Sequence, residues 1–363
     1  NYHRQSPSPC HLNHKLLMEQ PKTLNLENGE KLPSIFSSEE MQSRLSRLRE
    51  QMEKEGIEGV LFTSFHNINY FDHFVYTAFG RNYGLAVTLK RICSITANID
   101  GGQPWRRGVG DNLVYTDWKS GNFFVAVQEL LQGSRTVGVE YDHLSLQILE
   151  KLKAALPGTD FVDISETVMH QRMIKSEEEI EFIKGTASQQ DVAMQAVINH
   201  IKPGMRDSDA AAVALFEGQK LGSEQGIYLC QSYTYGTPAA LGPRHNQNRL
   251  IREGDIFNIL VENNGAGGYF TEIGRTIVVG EPPKGGLQEL EEELEFTLEA
   301  QRITLDMLKP GATCPDIWNT FNTFMRDNGR QEETRLYCHG QGYDMVERPL
   351  VRHDEPMTIQ KDM

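Results

Sequence analysis

Four stretches in the second half of this 363-residue chain gather side chains that can move protons or hold a cation. They are GPRHNQN with His245; LVENNGAGGYFTEIGRT with Glu262 and Glu272; YCHGQGYDMVERP with His339, Asp344, Glu347 and Arg348; and LVRHDEP with His353. Strand-borne acids and histidines that converge on one sheet face make either a general acid–base site or a metal site. Read singly, each is equally a paired structural residue. Glu272 leaves three roles open: metal ligand, proton handler, or partner of the nearby Arg275.

The surrounding patterns predict the elements that must position these groups. SSEEMQSRLSRLREQMEKEG reads as a helix capped by Ser38, with Met41, Leu45, Leu48 and Met52 as its buried stripe and Gly56 as its stop. Strands are expected at IEGVLFTSF, YGLAVTLK, RICSITA, NLVYTD, TVGVEY and DFVDIS, and helices at NFFVAVQELLQ and LSLQILEKLKAAL. This alternation predicts an α/β domain over residues 35–168, preceded by a loose polar tail over residues 1–34. A second domain, residues 169–363, announces itself at IKSEEEIEFIKG, where Ser176 and Glu179 form a capping box and Ile180, Ile183, Met194 and Val197 give the apolar stripe. The link between the domains falls near HQRMIK. Within the second domain IKPGMRDSDA echoes LKPGATCPDI, each between two helices, with Asp209 and Asp316 as expected N-caps. Two pseudo-equivalent halves follow, each a helix pair backed by a sheet.

Composition narrows the class. Hydrophobic residues make up 39% of the chain and charged residues 24%, as in water-soluble globular proteins. A net charge of −14 argues against sustained binding to nucleic acid or anionic membranes, and no apolar run is long enough to cross a bilayer. The first twenty residues lack the apolar core of a secretory signal. Five cysteines without a CxxC pair fit a reduced, cytoplasmic setting. The acidic run LQELEEELEFTLEAQ reads as a solvated helix face.

The second half resembles the pita-bread superfamily, which includes methionine aminopeptidase, aminopeptidase P, prolidase and creatinase. PKTLNLENGEK, FTSFHNINYF, FGRNYGL, TANIDGGQPWRR and VYTDW, within residues 21–175, resemble the amino-terminal domain of creatinase-type enzymes. The resemblance implies an α/β amino-terminal domain followed by a pita-bread α+β domain with a pseudo-two-fold repeat. The chain stops at IQKDM, where the last two strands of that domain and their acids would begin, so the expected domain is incomplete. It also implies a homodimer, in which Phe79 and Arg81 reach into the partner's site to hold a substrate carboxylate and cover a planar cation. His245 matches the acid–base histidine that shuttles a proton between water and a leaving amine.

Metal-dependent members of that superfamily carry one Asp on each strand of a hairpin, then a His and two Glu. Anchored on Gly268-Tyr269 and Arg275-Thr276, the second Asp position is Glu272, the first falls on Val261, and Glu262 stands one residue out of phase, which would turn it to the opposite face. His339 matches the His ligand. Creatinase-type enzymes work without metal but carry their strand Glu two residues later, at the position of Gly274. The leading expectation is therefore a metal-independent hydrolase of a C–N bond in a small guanidino or amidino carboxylate, of the creatine-to-sarcosine-plus-urea type. His245, Glu272 and His339 would be catalytic, and Phe79, Arg81, Glu347 and Arg348 would bind substrate. The alternatives are an Xaa-Pro aminopeptidase or dipeptidase using Mn, Co or Zn held by Glu262, Glu272 and His339, and a catalytically silent binding protein on the same fold.

Overall fold

The computed structural model describes residues 20–27, 29–74, 80–116, 121–237 and 249–363. The amino-terminal half contains, in chain order, β1 (Thr23–Asn25), α1 (Ser38–Glu55), β2 (Gly59–Phe62), α2 (Phe65–Asp72), β3 (Gly84–Thr88), β4 (Ile92–Ala97), α3 (Gln103–Arg107), β5 (Asp111–Tyr115), α4 (Asn122–Leu131), β6 (Thr136–Val139), α5 (Leu146–Ala155), β7 (Asp160–Asp163) and α6 (Ser165–Met173). The strands form one mixed sheet in the order β1-β5-β4-β3-β2-β6-β7. Helices cover both faces: Met41, Leu45, Leu48 and Met52 of α1 enter one core, while Phe123 and Val127 of α4 and Leu152 of α5 enter the other. Two expectations are corrected here. The cap of α1 is Ser37, whose Oγ accepts the Glu40 N–H at 3.0 Å. Thr23–Asn25 is not loose, because pairing with β5 satisfies its backbone at the sheet edge.

The second half contains α7 (Glu177–His200), α8 (Asp207–Lys220), β8 (Gly226–Tyr233), β9 (Asp255–Asn264), β10 (Phe270–Val279), α9 (Gly286–Leu305), α10 (Cys314–Asp327), β11 (Cys338–Gly340) and β12 (Glu347–Val351). The Ser176–Glu179 capping box opens α7 as expected. Helices α7 and α8 pack Met194, Val197, Ala210 and Ala214 onto Cys230, Phe257, Ile259 and Val261, all on one face of the antiparallel sheet β10-β9-β8.

The echo in the sequence is an echo in geometry. Gly204 and Gly311 take positive φ, 89° and 98°, and donate to the carbonyls of Ile251 and Ile359 at 2.8 and 2.9 Å. Ile251 and Ile359 in turn donate to the carbonyls of Met205 and Ala312. Arg206 and Thr313 each form an isolated bridge, to Leu250 and Thr358. Those bridges hold Arg206 and Thr313 extended, so they take the cap positions. Asp209 and Asp316 stand three residues further in, where Asp209 accepts the Arg206 N–H at 2.8 Å and Asp316 accepts the Thr313 hydroxyl at 2.6 Å. The expectation that these two aspartates are N-caps is thereby corrected.

The two halves meet around Arg44 of α1, which is fully buried. Its Nε donates to Glu40 at 2.6 Å, and its Nη1 donates to the Tyr70 carbonyl and the Tyr343 hydroxyl at 2.9 and 3.2 Å. Its Nη2 lies 3.0 Å from Glu179 at the start of α7, and Glu179 also accepts the Tyr269 hydroxyl at 2.6 Å. The guanidinium stacks on Phe36 and Tyr70. Tyr269 and Tyr343 lead into and out of the strands that carry the candidate acids and histidine. Gly268 lets this hairpin approach α2, since a Cβ there would stand 2.5 Å from Asn69 Nδ2.

Replacing Arg44 by Met leaves Glu179 buried without its cation. The expected loss is about 3–5 kcal/mol of stability, read from denaturant unfolding, because a buried charge stripped of its partner is costly. Asp72, at the end of α2, gives a pH-dependent counterpart. Burial pushes its carboxyl up to about 7, against the Gly110 N–H and Lys31, which favour the charge. The raised folded pKa means that protonation favours folding, so this contribution is full below the unfolded value near ~4 and is lost as pH rises through about 7. Asp72→Asn should therefore flatten the fall in melting temperature between weakly acidic and weakly alkaline buffer; an unchanged slope would contradict this assignment.

Candidate active site

Register decides what the hairpin presents. In the β9–β10 pair Glu272 stands directly opposite Glu262, and Val261 opposite Ile273. Directly opposed residues of an antiparallel pair project to the same face. Glu262 and Glu272 are therefore in phase with one another, and the expectation that Glu262 points away is corrected. Val261 is fully buried against α7 and α8. The face with the two acids is the one those helices leave uncovered. The hairpin turns through Gly267 and Gly268, both at positive φ, and this turn sets the register.

β11 and its following turn close over the acids. Gln341 Nε2 lies 3.2 Å from Glu262 Oε1 and 3.5 Å from Glu272 Oε2, and also reaches the Met345 carbonyl at 3.3 Å. The Phe270 N–H donates to the Gly342 carbonyl at 2.8 Å, tying this turn to the start of β10. His339 Nδ1 lies 2.9 Å from the Gly340 carbonyl. A carbonyl can only accept, so Nδ1 carries a proton and Nε2 is the ring nitrogen turned toward the acids. That Nε2 is 3.9 Å from Glu272 Oε2. Glu262 is only 6% exposed, whereas the Glu272 side chain is 33% exposed and His339 18%. Glu272 and His339 can reach a bound molecule, and Glu262 supports them from below.

Tested as a metal set, Glu262, Glu272 and His339 do not fit. Among the described residues no group of three or more His, Cys, Asp or Glu is placed to hold one ion. The donor aimed at both carboxylates is an amide N–H, which competes with a cation for the same lone pairs.

Residues 181–363 match metallopeptidase family M24, and residues 44–174 match the creatinase/prolidase N-terminal domain. A creatinase from Bacillus sp. (strain B-0618) is 37% identical over 86% of this chain and 76% of the relative. The chain belongs to family M24. An Xaa-Pro dipeptidase from Pyrococcus furiosus is 27% identical over 66% of this chain and 67% of the relative. The X-Pro aminopeptidase from Thermotoga maritima superposes with a TM-score of 0.75 at 21% identity, covering 88% of this chain and 87% of that one. The prolidase from Pyrococcus horikoshii OT3 gives 0.73 at 23%, covering 88% of each. These two likenesses establish the pita-bread fold.

Within this M24 chain, the remaining expected site residues divide sharply. Glu347 is withdrawn from the open face: it is buried, 3.2 Å from Arg172 and 3.8 Å from Lys175, and accepts the Asp344 N–H at 3.1 Å. Burial lowers the Lys175 pKa while Glu347 opposes that shift. Arg348 is taken up in a bidentate pair with Glu355 at 3.1 and 2.6 Å. Internal ion pairs thus hold both residues expected to bind substrate, with Glu347 buried and Arg348 still partly exposed. Arg275 donates to the Gly274 carbonyl at 2.7 Å, and odd spacing along β10 turns it to the face opposite Glu272. It is not the partner of that acid. Arg81 is half-buried near Asp100, whose carboxylate it favours against burial. His245 and Phe79 lie outside the described residues.

Sequence reasoning passed over Gln341. Its one signal was its place in HGQGYD, two residues beyond His339.

The two acids should separate on substitution. Glu262→Ala strips a buried acceptor from Gln341 and should cost about 1–3 kcal/mol of stability. Glu272→Ala should change stability by under about 0.5 kcal/mol, as for exposed positions, yet remove turnover. Thermal melts beside activity assays distinguish the two.

Proposed function

We propose that this protein is a hydrolase that cleaves a C–N bond in a small guanidino or amidino carboxylate, without a metal ion. The observation that carries this reading is the amide of Gln341 set between the facing carboxylates of Glu262 and Glu272. The 37% identity to a creatinase along most of the chain supports the reaction class. The acid has moved relative to creatinase-type enzymes: Glu272 and Gly274 share a face of β10, roughly 6–7 Å apart along the strand. A Cβ at Gly274 would meet nothing closer than Leu260 Cδ1 at 3.4 Å, so the vacated position adds room beside the acids. That favours a substrate whose cationic end differs in size or placement from creatine.

In this mechanism Glu272 and His339 orient the cationic end, Glu272 by charge and His339 through its Nε2. Water adds to the central carbon, His245 accepts its proton and returns it to the departing nitrogen, and the C–N bond breaks. Arg81 and Phe79, contributed by the second subunit of a homodimer, hold the substrate carboxylate and cover the planar group.

The in-phase register of Glu262 and Glu272 favours a second reading, a metal-dependent Xaa-Pro peptidase, because it removes one objection to a ligand pair on this hairpin. A screen of guanidino and amidino carboxylates and Xaa-Pro dipeptides, with and without chelator, separates the two. The expected result is chelator-insensitive hydrolysis of the first class, abolished by His245→Ala without loss of the fold. Dipeptide hydrolysis that disappears with chelator and returns with Mn, Co or Zn would reverse the assignment. Saturable hydrolysis of either class excludes a silent binding protein.

A further inference from the structure

Directly opposed like charges on adjacent strands repel, so the Glu262–Glu272 pair needs something positive or hydrogen-donating between its members. Gln341 supplies it. Its side chain could present either oxygen or nitrogen, but an oxygen here would face two carboxylate acceptors, so the amide must direct its N–H groups at them. The Met345 carbonyl, at 3.3 Å from the same Nε2, imposes the same orientation.

The backbone that carries this amide is tightly held. Gly342 donates to the Asp344 carbonyl at 3.2 Å and accepts from Phe270 at 2.8 Å. A Cβ at Gly342 would stand 2.6 Å from Glu347 Oε2, and Glu347 is itself fixed by Arg172. Tyr343 accepts from the buried Arg44. The amide is thus pinned on both sides of its own residue.

We propose that Gln341 is the positioning residue that makes this M24 site cation-free: its neutral amide bridges Glu262 and Glu272 where a divalent ion would otherwise draw them together. The inference rests on the metal-independent reading above. A small divalent ion such as Mg2+ takes oxygen ligands at about 2.0–2.1 Å. To enter, it would have to expel an N–H donor held by three acceptors. Removing the donor, or replacing it by an isosteric acceptor, opens the same position to a cation.

The test uses the full chain and Mn2+ alone, followed by loss of the free-ion EPR signal. Gln341→Glu keeps the side-chain shape and places a third carboxylate beside the other two; it should bind Mn2+ at least about tenfold more tightly than wild type, as added ligand charge does at such sites. Adding Glu262→Gln to that variant should abolish the gain. Gln341→Met, a neutral chain of similar length without the donor, should melt below wild type, because the facing carboxylates lose the group between them; an unchanged melt would overturn the bridging role. Wild type that ignores Mn2+ together with a Gln341→Glu variant that also ignores it would overturn the role of Gln341 alone. A gain that survives Glu262→Gln would overturn it too, since the ion would then lie elsewhere. Wild type that binds Mn2+ tightly and loses hydrolysis on chelation would instead overturn the metal-independent reading on which the inference rests.

Discussion

A single buried guanidinium holds the geometry of this molecule together. Arg44 comes from the first helix of the amino-terminal domain, yet its partners are Glu179, which opens the second domain, and Tyr343, which follows β11. Through Glu179 it also orders Tyr269, three residues before Glu272. Burying a charge is costly unless it is paired, and here carboxylates, a carbonyl, a phenol and two aromatic faces surround the guanidinium. The consequence is positional. The strand that bears Glu272 and the turn that bears Gln341 are fixed against the same group, so their separation is set by the domain junction as much as by the sheet.

A second polar network runs alongside. Arg172 and Lys175, in the segment that links the domains, pair with Glu347 on β12, and Arg172 also donates to Asn67 on α2. Asn67 in turn donates to Glu140 at 2.6 Å. Burial, with Arg172 and His143 nearby, holds the ring of His66 down to about 3, so it is neutral at this junction at physiological pH. Charged residues near HQRMIK and MVERP thus serve cohesion between domains, and the open face is left to Glu272 and His339 with Glu262 and Gln341 beneath them.

The C-terminal domain uses one construction twice. In each half a left-handed glycine, an extended cap residue and an acid at the third helical position recur, Gly204-Arg206-Asp209 in one and Gly311-Thr313-Asp316 in the other. The acids of β9–β10 meet the histidine of β11 where the Phe270 N–H donates to the Gly342 carbonyl and Gln341 reaches both carboxylates. This chain keeps the frame of family M24 and sets an amide between the two acids of its β9–β10 hairpin.

Much of this was legible in the residues alone. The stripe of α1, the Ser176–Glu179 box, the alternating elements of the first domain and the repeated Lys-Pro-Gly all act over a few residues, where periodicity and capping chemistry are local and decisive. The resemblance carried by strings such as TANIDGGQPWRR named the frame. What could not be read was the facing of Glu262, because phase along one strand says nothing about which residue of the next strand stands opposite; the turn at Gly267–Gly268 settles that. Glu347 and Arg348 looked equally available in sequence, and only the approach of Arg172, Lys175 and Glu355 shows them occupied. Gln341 is a neutral residue with no local signature, and its role exists only because folding brings it between two carboxylates distant in the chain. Local patterns determined the elements and the family; long-range pairing decided which charges meet.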